Sequence, residues 1–192
     1  MLFLLLLNGC IYLLYSITYN NHLNSEKSRT ASEQYAVSVA LGRDLTVMQG
    51  NERLTQETVY QLMSAYGSYY GSDEVYLRLF HQGEPVFASD ELEIEITKPE
   101  QSYTFTEDTG DGIVVCASGP VQNFEEYSLI YIRDITEMEE TWDNLLRLVF
   151  WISLGVSLVL ALLLYFIVSR LTRPVSRLAE AADLVAAGDY SL

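Results

Sequence analysis

Cysteine is nearly absent from this chain: two occur in 192 residues, Cys10 and Cys116. Cys10 falls in an apolar run and Cys116 in an expected strand, so no disulfide framework exists. Within "GIVVCAS", Cys116 reads as a small buried apolar residue. Basic residues are scarce as well, 11 against 26 acids, for a net charge of -15. That deficit excludes nucleic acid as a partner, because phosphates call for Lys and Arg. It also argues against adhesion of the middle of the chain to an anionic lipid surface. Histidine occurs only at His22 and His81, and no glycine-rich phosphate loop follows Ser169. Phosphoryl-transfer chemistry therefore has no carrier in the C-terminal part.

Charge is missing altogether from two stretches. The first is Met1 to Tyr19, "MLFLLLLNGCIYLLYSITY", after which the next charge is Glu26; the second is Leu148 to Ser169, between Arg147 and Arg170. A helix of the second length rises roughly 33 Å, enough for a hydrocarbon core of about 30 Å. The first run has neither a basic n-region nor a small-x-small cleavage site, which argues against a removed signal peptide. Residues 1–19 and 145–169 are thus expected to be transmembrane helices around a middle segment, 20–144, the size of one small domain. Arg170, Arg173 and Arg177 follow the second span directly. By the positive-inside rule both termini are cytoplasmic and the middle segment is extracytoplasmic.

Within the middle segment, Val37, Leu41, Leu45 and Met48 make one helical stripe, and Val59, Leu62, Met63 and Tyr66 a second, ended by Gly67 and Gly71. The period then changes to two. "VYLRLF" and "PVFAS" around "HQGE" read as a hairpin. "ELEIEI" alternates strictly, with Leu92, Ile94 and Ile96 inward and Glu91, Glu93 and Glu95 outward. "SYTFT", the turn "DTGDG", "GIVVCAS" and "YSLIYIRDI" complete an antiparallel sheet of about five strands. The fold class is α+β, with helices on one face of the sheet. A last helix opens at "DITEMEE", where Thr136 and Glu139 have capping-box spacing. Met138, Trp142, Leu145 and Val149 continue as a heptad seam toward the membrane, with no Gly, Pro or Ser from Ile135 to Ile152. Such a stiff connection suits a signal transmitter, and makes Trp142 a relay candidate.

Beyond the second span, Leu171, Val175, Leu178, Ala182 and Val185 occupy a and d positions of a short coiled coil, residues 170–192. A helix this short cannot bury its seam alone and requires a partner copy. The stretch "RPVSRLAEAADLVAAGDYS" resembles the first helix and connector of a HAMP domain. Pro174, Val175, Leu178, Glu180, Val185 and Gly188 fall where that family has them. Two spans around a PAS-like (Cache-type) middle segment, leading into HAMP, resemble the input half of a bacterial sensor histidine kinase. The resemblance implies a homodimer through transmembrane and HAMP helices in the bacterial plasma membrane, in contact with its lipid. It further implies an external cue or ligand, a cytoplasmic response regulator, and ATP with Mg²⁺ at a kinase core. The 192 residues themselves hold no cofactor and no catalytic residue. A chemoreceptor, which joins two spans to HAMP without a kinase, is the alternative.

For ligand binding the candidates are Tyr76, Arg78 and Phe80 on one side of the first strand, with Tyr131 and Arg133 on the last. An Arg between aromatic rings can clamp a carboxylate by paired hydrogen bonds. The bland counterpart is an Arg stacked over rings on an exposed strand face. Metal binding by the row Glu91, Glu93 and Glu95 competes with a merely solvated edge.

Overall fold

In a computed structural model the described residues are 2–71, 74–90, 92, 94, 96, 99–110 and 112–186, with side chains described from residue 6 to residue 170 except Leu7. Helix α1 (Leu2–Gly50) and helix α2 (Gln56–Tyr70) precede strands β1 (Val75–His81), β2 (Glu84–Ala88), β3 (Tyr103–Asp108), β4 (Ile113–Val121) and β5 (Phe124–Asp134); helix α3 (Thr136–Ala186) follows. The chain divides into two compact units, residues 14–143 and residues 1–13 with 144–192.

The first unit is built on an antiparallel sheet in the order β2-β1-β5-β4-β3. Its α+β class and helix-covered face are as expected. Val37, Leu41 and Leu45 of α1 and Val59 and Met63 of α2 pack on Val75, Leu77, Leu79 and Leu129 of the sheet. Leu41, Leu45, Val59, Met63, Leu77 and Leu79 have no exposed surface. Each such Leu contributes about 2–5 kcal/mol against truncation to Ala. The opposite face carries a second core of Val114, Cys116, Ile130 and Ile132.

Turn chemistry sets the connections. Gln82 and Gly83 both have positive φ, 52° and 83°, the requirement of a tight type I′ hairpin. Thr55 caps α2 in a reciprocal capping box with Thr58, the two hydroxyls taking each other's backbone N–H. Gly71 ends α2, its N–H donating to the Gly67 carbonyl. Gly67 does not end the helix as expected but lies inside it, facing Phe87, where an added Cβ would stand 3.3 Å from the ring. Close helix–strand approach, not termination, explains that glycine.

Two further expectations need correction. "ELEIEI" forms no strand over the residues described, yet Leu92, Ile94 and Ile96 do turn inward onto the second core. Alternation reports a buried side, which a strap lying across a sheet shows as well as a paired strand. The glutamates Glu91, Glu93 and Glu95 lie outside the described residues. Nor do Thr136 and Glu139 form a capping box. The Thr136 hydroxyl instead accepts the Ile113 N–H at 3.0 Å and donates to Asp134, while the Glu139 carboxylate accepts from the Tyr19 hydroxyl at 3.0 Å. Gly112 makes room for this joint, because a Cβ there would fall 2.0 Å from Thr136 Oγ1.

In the second unit, Asn8 of α1 donates to Ser157 Oγ at 3.4 Å and accepts from Ser153 Oγ. Among the described residues one helix, Thr136–Arg170, is long and apolar enough to cross a membrane, with a mean hydropathy of 2.5 in its best window. This stretch contains the expected span 145–169. Residues 2–19 of the first run form the start of α1 but do not appear as a second candidate span among the described residues; the side chains of residues 2–5 and Leu7 lie outside those described. Exposed Phe150, Trp151, Leu158, Leu162, Tyr165 and Phe166 on α3 suit a lipid surround better than water.

Candidate functional site

The sheet register separates the five residues proposed as one clamp. Tyr76, Arg78 and Phe80 pair with Ile132, Ile130 and Ser128 of β5, whereas Tyr131 and Arg133 pair with Leu77 and Val75. Directly opposed residues share a face and neighbours alternate. Tyr76, Arg78 and Phe80 therefore lie on the second-core face, and Tyr131 and Arg133 on the helix-covered face. The single clamp is replaced by two arginine centres, one on each side.

On the second-core face Arg78 already holds a carboxylate. Its Nε donates to Asp90 Oδ2 at 3.1 Å, and its terminal nitrogen donates to Asp90 Oδ1 and to the Leu92 carbonyl. Asp90 Oδ1 also accepts the Leu92 N–H at 2.9 Å. The Asp90 side chain is 2% exposed and that of Arg78 12%. The ion pair pins the strap after β2 across the sheet, and Ser118 fixes its far end by donating to the Pro99 carbonyl at 2.8 Å. Beneath it, burial pushes the Cys116 thiol up to about 12, only partly offset by Arg78, so the sulfur is no nucleophile.

On the helix face Arg133 binds Glu33 of α1, which also accepts the Tyr131 hydroxyl at 2.6 Å and Arg29 Nε at 3.0 Å. Burial opposes ionisation of Glu33, but the Tyr131 hydroxyl and the two arginines outweigh it and hold its carboxyl below the usual range. Burial and the bond to Glu33 push Tyr131 up to about 12, so it remains a donor. The Arg133 guanidinium lies 5.9 Å from the Tyr131 ring centroid. Its Nε, like the buried Thr30 hydroxyl, has no hydrogen-bond partner among the described residues. One turn along α1, Gln34 Nε2 donates to the Gly119 and Leu129 carbonyls, and the Ser38 hydroxyl donates to the Pro120 carbonyl. Polar anchors therefore fasten α1 to β4 and β5, and β5 leads two residues later into α3.

Trp142, the relay candidate, sits where α1 and α3 meet within the first unit. Tyr15, Tyr19 and His22 surround its indole edge-on at 5.8, 6.1 and 5.8 Å, and the Tyr15 hydroxyl donates to the Trp142 carbonyl at 3.2 Å. Clustered Trp and Tyr at the end of an apolar run are characteristic of the membrane–water interface. Glu33, Asp90 and this cluster were not anticipated from the sequence. Of the other relay candidates, Pro174, Val175, Leu178, Glu180 and Val185 lie within α3 with their side chains outside those described, and Gly188 lies outside the described residues.

No group of three His, Cys, Asp or Glu residues converges as a metal site among the described residues. No family model and no curated protein matches the chain. The likeness to HAMP thus rests on the motif from Pro174 to Gly188.

Proposed function

We propose that this chain is the sensory and transmembrane signalling portion of a membrane-bound sensor histidine kinase. It relays an external cue through α3 to a kinase core that is not among these 192 residues and that would use ATP and Mg²⁺. The observation that carries the proposal is the joint at Thr136. The first residue of α3 is bonded to Ile113 and Asp134 of the sheet, and the same helix continues unbroken through the apolar stretch to Ala186. A displacement at the end of β4 or β5 is therefore passed directly to a membrane-crossing helix. The partner copy required by the seam from Leu171 to Val185 would receive it as altered helix packing. In this account the extracytoplasmic unit is the input, and the response regulator lies downstream of the kinase core.

A proline at Trp142 or Leu146 tests the relay in the gene product that includes its output domain. Proline removes one helical hydrogen bond and kinks the helix at a cost of about 3 kcal/mol. The expected result is an output that no longer responds to the cue while the extracytoplasmic unit keeps its fold. Retained signalling in both variants would refute a rigid relay. ATP-dependent labelling of a histidine on that product is expected, and its absence would favour a receptor without kinase activity.

A further inference from the structure

Asn8 is the one amide in the apolar run that opens α1, and the stretch from Leu148 to Val168 of α3 contains two serines and no Thr, Asn or Gln. The fold brings these three polar side chains together. Ser153 Oγ donates to Asn8 Oδ1, and Asn8 Nδ2 donates to Ser157 Oγ at 3.4 Å. Ser153 and Ser157 stand four positions apart, on one face of α3, so the amide spans a full turn of the helix it faces. Ser153 is 8% exposed, while its neighbours Ile152 and Leu154 are 56% and 51% exposed. Ile11, about one turn after Asn8, shares a shallow groove with Val149, Ile152 and Val156. Advancing along α1 thus means going back along α3: the two helices run antiparallel here.

Ser157 lies near the middle of the uncharged stretch 148–169, where hydrocarbon offers an amide neither donor nor acceptor. Polar side chains at that depth are held by each other. The spacing of the partners admits a single alignment. Sliding α3 by one turn would put Ala161 in the place of Ser157, or Val149 in the place of Ser153, and Asn8 would keep one hydroxyl. Two turns would bring Leu160 and Leu164, or Leu146 and Phe150, and no hydroxyl at all. We propose that Asn8, Ser153 and Ser157 form a register lock, so that the apolar ends of α1 and α3 move as one body. A cue carried by α3 then arrives as tilt or rotation of the helix pair, not as a one-turn slide of α3 along α1. That consequence for signalling rests on the relay proposed above; the lock itself does not.

Disulfide trapping reads the alignment in the intact chain, reconstituted in phosphatidylcholine liposomes. The background is Cys10→Ser, with Cys116 buried in the other unit. Ile11→Cys is combined with Val149→Cys for the observed alignment, and with Leu145→Cys or Leu160→Cys for alignments one turn away on either side. An offset of one turn, about 5.4 Å, takes a pair out of bridging range, so the first pair is expected to close about tenfold faster or more. Asn8→Leu, which keeps the run apolar, should raise the out-of-register rates several-fold, up to about tenfold. Ser153→Ala with Ser157→Ala should do the same, and the triple variant should add nothing, because one contact is being removed. Continued closure of the 11–149 pair in each variant shows that the helices still meet. Unchanged disulfide rates in Asn8→Leu overturn the lock, and so do effects of the two helices' substitutions that simply add. No output domain takes part in the measurement, so failure here removes the lock and leaves the relay to be judged by the proline variants.

Discussion

Removing the Asp90 carboxylate isolates the ion pair that holds the strap. In Asp90→Ala the Arg78 guanidinium, 12% exposed, keeps only the Leu92 carbonyl, and the Leu92 N–H loses its acceptor. Breaking a buried pair from one side costs about 3–5 kcal/mol because the remaining charge stays desolvated. Arg78 retains some solvent contact, which places the cost near the lower end, about 3 kcal/mol. Arg78→Met strands a carboxylate that is 2% exposed, and the expected cost is again about 3 kcal/mol. The double variant carries no stranded charge. What remains is the Leu92 N–H and carbonyl without partners, about 1–3 kcal/mol together once the strap relaxes toward water. The two single costs, about 6 kcal/mol added, should therefore collapse to about 3 kcal/mol or less in combination. Hydrogen exchange by mass spectrometry on the intact chain reads this directly. Peptides covering residues 92–105 should exchange a hundredfold or more faster in either single variant. If Asp90→Ala changes protection by less than about 1 kcal/mol, or if the double variant equals the sum of the singles, the pair does not hold the strap.

The division between what was legible and what was not follows from how far apart the interacting residues lie. Val37, Leu41 and Leu45 announced their burial through local spacing, and so did the hairpin at Gln82–Gly83, because both depend on residues within a few positions. The proposed five-residue clamp failed on register. The antiparallel pairing of β1 with β5 joins Tyr76 to Ile132 and Leu77 to Tyr131. A slip of one residue would have put Tyr131 opposite Arg78 and Arg133 opposite Tyr76, all on one face; nothing local fixes that choice. The carboxylates found by the two arginines were hidden in the same way, Glu33 standing 100 residues from Arg133 and Asp90 on a strap that looked like a strand. A signal for the first did exist. Thr30, Gln34 and Ser38 continue the buried stripe of Leu41 and Leu45 at helical spacing, and polar residues on an apolar stripe require partners across the interface. The same spacing marks where α1 touches the sheet, so the anchors of the sheet-containing unit were partly written in its first helix.

Three further results are expected. Gly42→Ala would place a Cβ 2.2 Å from the Gln122 carbonyl in the β4–β5 turn, so α1 must lift and stability should fall by about 1–3 kcal/mol in urea unfolding; an unchanged midpoint would show that the helix is not seated there. In a Cys10→Ser background, Cys116 should resist iodoacetamide at pH 8 until urea unfolds the chain, because its thiol is buried and pushed up to about 12; rapid labelling of the folded protein would contradict its place under the strap. Glu33 makes stability depend on pH with a definite sign. Its carboxyl is held below the usual range in the folded chain, whereas the unfolded value is about 4.3. The ionised form is thus favoured by folding, and its contribution is complete above about pH 4.3. That contribution disappears as pH falls from there through the lower folded value, where protonation breaks the bonds to Tyr131, Arg133 and Arg29. Glu33→Gln should lower stability at pH 7 and flatten the loss between about pH 5 and pH 3, since the amide has no proton to take up. Unfolding midpoints at half-unit pH intervals test both effects together. A variant that is less stable at pH 7 but keeps the full wild-type slope would mean that other carboxylates carry the acid sensitivity and that Glu33 is a structural contact only.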